Sequence, residues 1–567
     1  MSYLGIDLGT TNSVVAIYES GQPRILPSVQ GKSSTPSVVG LADDRKTVLV
    51  GEAARARLIS HADLTAARFK RIMGTNKLVR LGKKTYGATQ LSAIVLAALK
   101  SDAEAALGRP VSDAVISVPA YFNAVQRQAT KDAAEIAGLN VIRLINEPTA
   151  AALAAGVLDR AGESRFVVLD LGGGTFDVTI LEMFDGVMEV RASAGDAQLG
   201  GEDFTGRIGE HFAKELGIDW VKAKTDQRER FLAAAERVKQ ALSSQTATTI
   251  TVQVGGKDHT FEFDRTTFEF ITSDLINRMR RPIERVLYDS GLEVGDIERV
   301  ILVGGATRMP VVRSLASRVF RRLPEQVLDP DLAIAQGAAV QAALASRSED
   351  LDDLVMTDVC PFTLGIETSA MQRPGHMVND LFAPIIERNT PLPASRSAHF
   401  STLQANQRQI VAQVLQGESA RASENVHLGS VEIPVPPGPA GSQSIEVRLT
   451  YDVSGLLAVD VTSLSSGMKV SSVIDNLAQA LSPAEKAKRL REMEALKINP
   501  REEAENVALV AAIGSLHEMV LGDDRVYVRD LLLRFELALE SQDRKFIASE
   551  RADIAAQLNR LEAILVR

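Results

Sequence analysis

Asp7-Leu-Gly-Thr-Thr-Asn-Ser-Val-Val-Ala-Ile17 has a partner far downstream, Asp170-Leu-Gly-Gly-Gly-Thr-Phe-Asp-Val-Thr-Ile180. Both open on Asp-Leu-Gly, pass through small turn residues and re-enter an apolar stretch in the same register. A chain with two such hairpins reads as two similar lobes, both turns aimed at one ligand. The residue types say what kind of ligand. Asp supplies a carboxylate for a metal, while Gly and Thr let backbone N–H groups come close to phosphate oxygens. The pair predicts a nucleoside triphosphate held between two halves.

Outward from the hairpins, strand-like and helical segments alternate from Tyr3 to about Ala345, the pattern of an α/β domain. Phe166–Asp170 and Val300–Val303 read as buried strands ending at Gly-rich turns, and Ala93–Leu107 and Asp274–Ser290 carry apolar residues at helical spacing. The polar, acidic stretch Ser346–Asp353 then leads into the apolar patch Leu354-Val-Met-Thr-Asp358, read together as a linker with a sticky centre. Beyond it the period becomes two. Ile445, Val447, Leu449 and Tyr451 alternate with polar residues, Ser454-Gly455 turns, and Leu457, Val459 and Val461 return. With Ile410, Ala412 and Val414 on an earlier strand and a Pro-rich loop at 434–439, this is an antiparallel β-sandwich. Ser482-Pro-Ala-Glu485 is a capping box with proline at the first helical position. From there the pattern is helical, with Leu531, Phe535, Ala538 and Leu539 on one face. The expected order is a nucleotide-binding α/β domain over residues 1–347, a linker over 348–358, a sandwich over 359–478 and a helical cap over 479–567.

The bulk numbers agree with several domains. The chain has 567 residues, above the roughly 250–300 at which a single core stops growing. Its 45% hydrophobic and 24% charged residues are those of a globular protein. A net charge of −9 and a pI near 5.5 give no support for nucleic acid as a main partner. The one cysteine, Cys360, excludes an internal disulfide framework and suits a reducing compartment. The first residues show no basic region followed by an apolar one, and Leu91–Leu99 is too short to span a bilayer. The expectation is a soluble cytoplasmic protein.

Each motif has a plain structural reading beside its chemical one. One hairpin alone is as readily a tight turn between strands. The second copy matters because Gly172-Gly-Gly174 weakens a sheet unless something must approach its backbone. Gly9, Thr10, Thr11, Asn12 and Gly172–Thr175 would face phosphates. Asp7 and Asp170 would hold Mg²⁺ largely through water, because that ion dehydrates reluctantly. Asp177 could orient water or bind a monovalent ion. Lys70 is the kind of cation that offsets negative charge on a transferring phosphoryl group, although a lone Lys is usually a solvated helix charge. Glu147, before a helix-starting proline, is either a first-turn anion or a third acid near the metal. Glu236, Lys239 and Ser243 share one helix face, as on any exposed helix. Gly304-Gly305 is a candidate close-approach turn, and Arg308 could stack on a purine.

Taken together these residues resemble the seventy-kilodalton heat-shock chaperones of the DnaK type. The resemblance covers nearly the whole chain and rests on Gly5–Asn12, Val118-Pro-Ala-Tyr-Phe-Asn123, Ile145–Ala152, Asp170–Asp177, Leu199-Gly-Gly-Glu-Asp-Phe204, Val303–Pro310, Gly337–Gln341, Leu364–Thr368 and Val414–Glu418. It implies an actin-like ATPase domain whose ATP or ADP state controls a peptide-binding sandwich and a helical lid. By resemblance Lys70 is required for hydrolysis, and Asp7, Glu147, Asp170 and Asp177 surround Mg²⁺, K⁺ and water. Thr175 touches the γ-phosphate; Glu236, Lys239, Ser243 and Arg308 hold the adenosine, with Asp331 nearby. Pro119 and Arg127 resemble an interdomain switch, Leu354 belongs to the linker patch, and Arg143 and Asp358 match positions that receive a J-domain cochaperone. Ile366, Phe400 and Ile410 match a hydrophobic peptide cleft, with Leu403 at an arch position.

The departures are informative. Ser369–Asp380 is longer than the family's usual loop, so the opposite arch residue has no assignment. The chain is trimmed between Gly74 and Leu91, and between Val252 and Phe263 it lacks most of the loop offered to a GrpE-type exchange factor. Thr357 replaces an aliphatic linker residue, and Gln240 stands where some relatives place a second Arg. The abbreviated form is most similar to the HscC-like branch. A small-molecule kinase or an actin-like filament protein would share the two hairpins but leave everything after residue 350 unexplained. A holdase or exchange factor that does not cycle would have less use for Lys70 and the Asp7/Asp170 pair.

Overall fold

The computed structural model describes residues 3–158, 164–184, 187–325, 329–346, 355–373, 376–452, 455–474, 504–520, 522–541 and 544–565. Each Asp-Leu-Gly phrase turns between two strands at the centre of a sheet. In the first sheet the order is 140–146, 113–118, 4–7, 12–19 and 22–25; in the second it is 299–303, 164–171, 176–184, 187–196 and 355–357. The pairing is repeated. Leu4–Asp7 runs parallel to Asp113–Val118 and antiparallel to Asn12–Glu19, while Ser164–Leu171 runs parallel to Arg299–Val303 and antiparallel to Phe176–Phe184. The hairpin strands are buried nearly throughout, as central strands covered on both faces should be.

Two alanine-rich helices, Glu147–Leu158 and Ala333–Ala345, join the lobes. They show almost no polar face, as expected of helices enclosed on all sides. A Cβ at Gly337 would lie 1.6 Å from the carbonyl oxygen of Ala150, so only glycine allows the two backbones to come this close. The trimmed segments are plain hairpins. Leu78–Leu81 pairs with Lys84–Gly87, and Ala247–Val254 pairs with Lys257–Asp264 through Gly255-Gly256, both at positive φ.

Val355–Thr357, the centre of the expected linker, is a strand. It runs parallel to Val187–Asp196 and extends the second sheet, with Met188 opposite Met356. Leu354 and most of the acidic stretch before it lie outside the described residues. The sandwich follows as two four-stranded sheets, 376–386/364–373/409–416/426–434 and 394–401/444–451/457–463/469–474. Ile445, Val447, Leu449, Val459 and Val461 form its core. One expectation changes here. Ser369–Asp380 is not a long loop: Leu364–Arg373 and His376–Ile386 continue as a bulged hairpin, with Ala370 opposite Val378 and Arg373 opposite His376.

The capping box at Ser482 lies outside the described residues. Helices Ala504–Met519, Gly522–Ser541 and Arg544–Leu565 pack on one another around Ile513, Val528, Leu531, Phe535 and Ile554. Among the described residues no helix is long and apolar enough to cross a membrane.

Candidate functional site

The turns of the two hairpins meet. A Cβ at Gly173 would lie 2.0 Å from Thr11 Oγ1, so the second turn fits against the first only without a side chain there. Between the lobes lies a cavity of about 920 Å³. Asp7, Gly9, Thr10, Thr11, Asn12, Lys70, Glu147, Asp170, Gly172, Gly173 and Thr175 line one end. Glu236, Lys239, Ser243, Gly304, Gly305, Arg308 and Asp331 are also in its wall. The cavity wall does not include Gly174 and Asp177. Gly174 lies close under Thr10 and Arg71, and Asp177 sits opposite Asp170 in the strand register.

The inner end is acidic and buried. Lys70, on the short turn Phe69–Ile72, is buried, and its Nζ donates to Glu147 Oε1 at 2.9 Å. It is therefore not a solvated helix charge. Glu147 occupies the first turn of its helix and faces the cavity with Asp7 and Asp170. Burial, reinforced by the charge of Glu147, pushes the Asp7 carboxyl up to about 7. The same two causes push Asp177 up to about 8, against the pull of backbone N–H groups from Tyr121 and Ala120. Asp170 is raised well above its ordinary value, by burial first and then by Glu147, Asp177 and Asp7. Carboxylates crowded in this way favour a cation beside them. Both oxygens of Asp170 and Oδ2 of Asp177 are buried without a hydrogen-bond partner.

These residues suit a hard divalent cation that keeps its own water. Asp7 and Asp170 offer oxygen ligands from opposite lobes, the donor type Mg²⁺ prefers. Among the described residues no group of three or more His, Cys, Asp or Glu side chains lies close enough to hold a metal by itself.

The outer end is a network of charged and hydroxyl side chains. Lys239 Nζ bonds Gly201 O at 3.1 Å and Thr205 Oγ1 at 2.9 Å, and pairs with Glu236 at 2.6 Å. Burial alone would raise the Glu236 carboxyl, but Lys239, Thr205 and Gln240 outweigh it and hold it below its ordinary value. Ser243 Oγ donates to Lys239 O. Gly304 takes φ 80°, where a Cβ would strike Leu171 O, and the chain runs on to Arg308. The Arg308 guanidinium is held by Asp329 at 2.9 Å and Asp331 at 2.8 Å, which fixes a flat cation at the rim.

Several residues here escaped the motif reading. Arg68, at φ 60°, pairs with Glu202 and Glu229 across the cleft, and Arg71 bonds Asp203 at 3.0 Å. Ser117 Oγ donates to Asp7 Oδ1 at 2.8 Å. The partners stand more than a hundred residues apart, so local spacing holds no trace of them.

The positions expected to couple domains form a chain. Arg127 donates to Ala120 O, Phe122 O and Asn146 Oδ1; Asn146 Nδ2 in turn donates to both oxygens of Asp358. Burial raises the Asp358 carboxyl, while the N–H of Val359 and the charges of Arg127 and Arg143 oppose that shift. Pro119 is buried at the end of Asp113–Val118. In the sandwich Ile366 is buried in the core, Phe400 and Ile410 are half-buried against it, and Leu403 is exposed. A family model described as Hsp70 protein matches residues 3–521.

Proposed function

The chain belongs to the Hsp70 family, and on that premise we propose that it is an ATP-dependent chaperone that binds and releases extended apolar peptide segments as it turns over ATP. The observation that carries this reading is the linker strand. Val355–Thr357 is hydrogen-bonded into the sheet whose hairpin lines the cleft, so the chain that enters the sandwich is tied to that sheet. A kinase or filament protein needs no such joint.

In this reading the N–H groups around Thr10 and Gly172–Thr175 take the phosphates, and Lys239, Ser243 and Arg308 take the nucleoside. Mg²⁺, when bound, neutralises phosphate charge beside Asp7 and Asp170. Lys70 faces the transferred phosphoryl group, held in place by Glu147. Asp177, with one orphan oxygen, orients water or borders a K⁺ ion. Ile366, Phe400, Leu403 and Ile410 belong to the peptide site, and Arg143 with Asp358 receives a J-domain cochaperone. The compact hairpins at 78–87 and 247–264 support assignment to the short, HscC-like branch. They also support ADP release without a GrpE-type factor. The single buried thiol fits a cytoplasmic setting.

The test is ATP-triggered release of a fluorescent apolar peptide. Wild type should release it on ATP addition, whereas Lys70→Ala should bind ATP and release peptide but fail to hydrolyse the nucleotide. Tight ATP binding without peptide release would overturn the chaperone reading. Wild-type turnover in Lys70→Ala would overturn the role of the lysine.

A further inference from the structure

Each lobe presents one carboxylate to the cleft from an equivalent strand end, yet the two are held differently. In the first lobe Leu4–Asp7 lies parallel to Asp113–Val118, with Ile6 opposite Ile116. Continuing that register brings Ser117 beside Asp7, and the buried hydroxyl donates to Asp7 Oδ1 at 2.8 Å. In the second lobe the matching neighbour of Asp170 is Val303. Valine offers no donor, and neither oxygen of Asp170 has a hydrogen-bond partner. Strand packing therefore accepts an aliphatic residue at this place in the fold. A buried hydroxyl there is unfavourable unless it is bonded, and its bond goes to a cleft-facing carboxylate.

We propose that Ser117 is a positioning residue for the cation side of the cleft. Its hydroxyl fixes the Asp7 carboxylate in one orientation, leaving Oδ2 for the hydration shell of a nucleotide-bound divalent cation. Asp170, with no such restraint, adjusts to the ion from the opposite lobe. An outer-sphere contact through water depends on ligand orientation, and a hydrogen bond behind the ligand supplies that orientation before the ion arrives. Ser117 also stands two residues before Pro119, at the head of the segment that reaches the sandwich. There Tyr121 packs on Phe362 with ring centroids 4.4 Å apart, and Ala124 N donates to Gln416 Oε1 at 2.8 Å. The proposal rests on the nucleotide reading of the cleft.

Calorimetry of ADP binding, with Mg²⁺ and with a chelator, separates the two. The ratio of the two affinities measures how much the cation tightens binding. In Ser117→Ala this ratio should fall about tenfold or more, the loss of one hydrogen bond to a charged group, while metal-free ADP affinity stays at the wild-type value. Ser117→Val, the residue type of the second lobe, should behave the same and guards against a folding defect in the alanine variant. Ser117→Thr should restore the ratio. An unchanged ratio in both alanine and valine variants overturns the proposal. So does equal loss with and without metal, which marks a merely structural role. Failure of wild type to bind ADP under either condition would instead sink the nucleotide reading itself.

Discussion

Asp177 shows how a single residue ties chemistry to stability. It is fully enclosed, accepts from Tyr121 N at 3.2 Å and is pushed up to about 8. In the unfolded chain it titrates at about 4. Between those values the folded form holds a proton that the unfolded form has lost, so the nucleotide-free fold weakens as pH rises through that range. On the steep part the loss is up to about 1.4 kcal/mol per pH unit for one such group. Asp177→Asn retains an oxygen for Tyr121 and removes the titration. Thermal melts of nucleotide-free protein from pH 6 to 8.5 should show a falling midpoint in wild type and a shallower fall in Asp177→Asn. Parallel slopes would refute this account. Asp7, pushed up to about 7, accounts for part of the slope left in the variant. Mg²⁺ with nucleotide should flatten the wild-type curve, because a divalent cation favours the ionised carboxylates.

At the scale of elements, what could be read from sequence was whatever repeats locally. The Asp-Leu-Gly hairpins announce themselves by duplication, and Ile445–Val461 by alternation. The partners of Arg68 and Ser117 do not, because a bond across 161 or 110 residues exists only after the lobes close. The hairpin Leu364–Ile386 was hidden differently. Polar residues and Pro374-Gly375 interrupt its alternation, and its register slips at three bulges. The linker was legible as apolar but not as a strand, because three residues carry no period. Its structure is marginal by design of size: a three-residue parallel strand at a sheet edge makes few bonds, and Thr357 Oγ1 is buried there without a partner. Met356→Pro places a residue with no N–H and a fixed φ at the centre of this strand and should keep it from docking. Limited proteolysis should then cut the linker at the same rate with ATP or ADP, whereas wild type should be protected with ATP. Protection of the variant equal to wild type would rule out the strand as the joint.

At the scale of the whole molecule, that weak strand is backed by side chains spanning the two domains. Arg388 makes two bonds of 2.7 Å to Asp289 and a third to Glu418 at 2.7 Å. Asn389 takes Ser193 N at 3.0 Å and donates to Asp289 at 2.9 Å. Arg285 reaches Tyr121 Oη at 2.7 Å, next to the N–H that holds Asp177. A path of direct contacts thus runs from the acids of the cleft to the rim of the sandwich. In the proposed cycle the joint opens and closes, which needs contacts that are strong together and breakable apart. The Arg388–Asp289 fork fits that need: Asp289 is largely buried and Arg388 is about a quarter exposed. Removing either partner leaves the other charge uncompensated at the interface. Arg388→Ala and Asp289→Ala should each shift the docking equilibrium about tenfold toward the open form. The double variant should do little more harm than either single one, corresponding to a coupling of about 1–3 kcal/mol. Energy transfer between labels on the nucleotide domain and the sandwich, titrated with ATP, measures all four proteins. Strictly additive shifts would show that the fork does not hold the domains together. A coupling that survives in 1 M salt would show that the fork acts mainly through its buried geometry, since exposed charges are screened there.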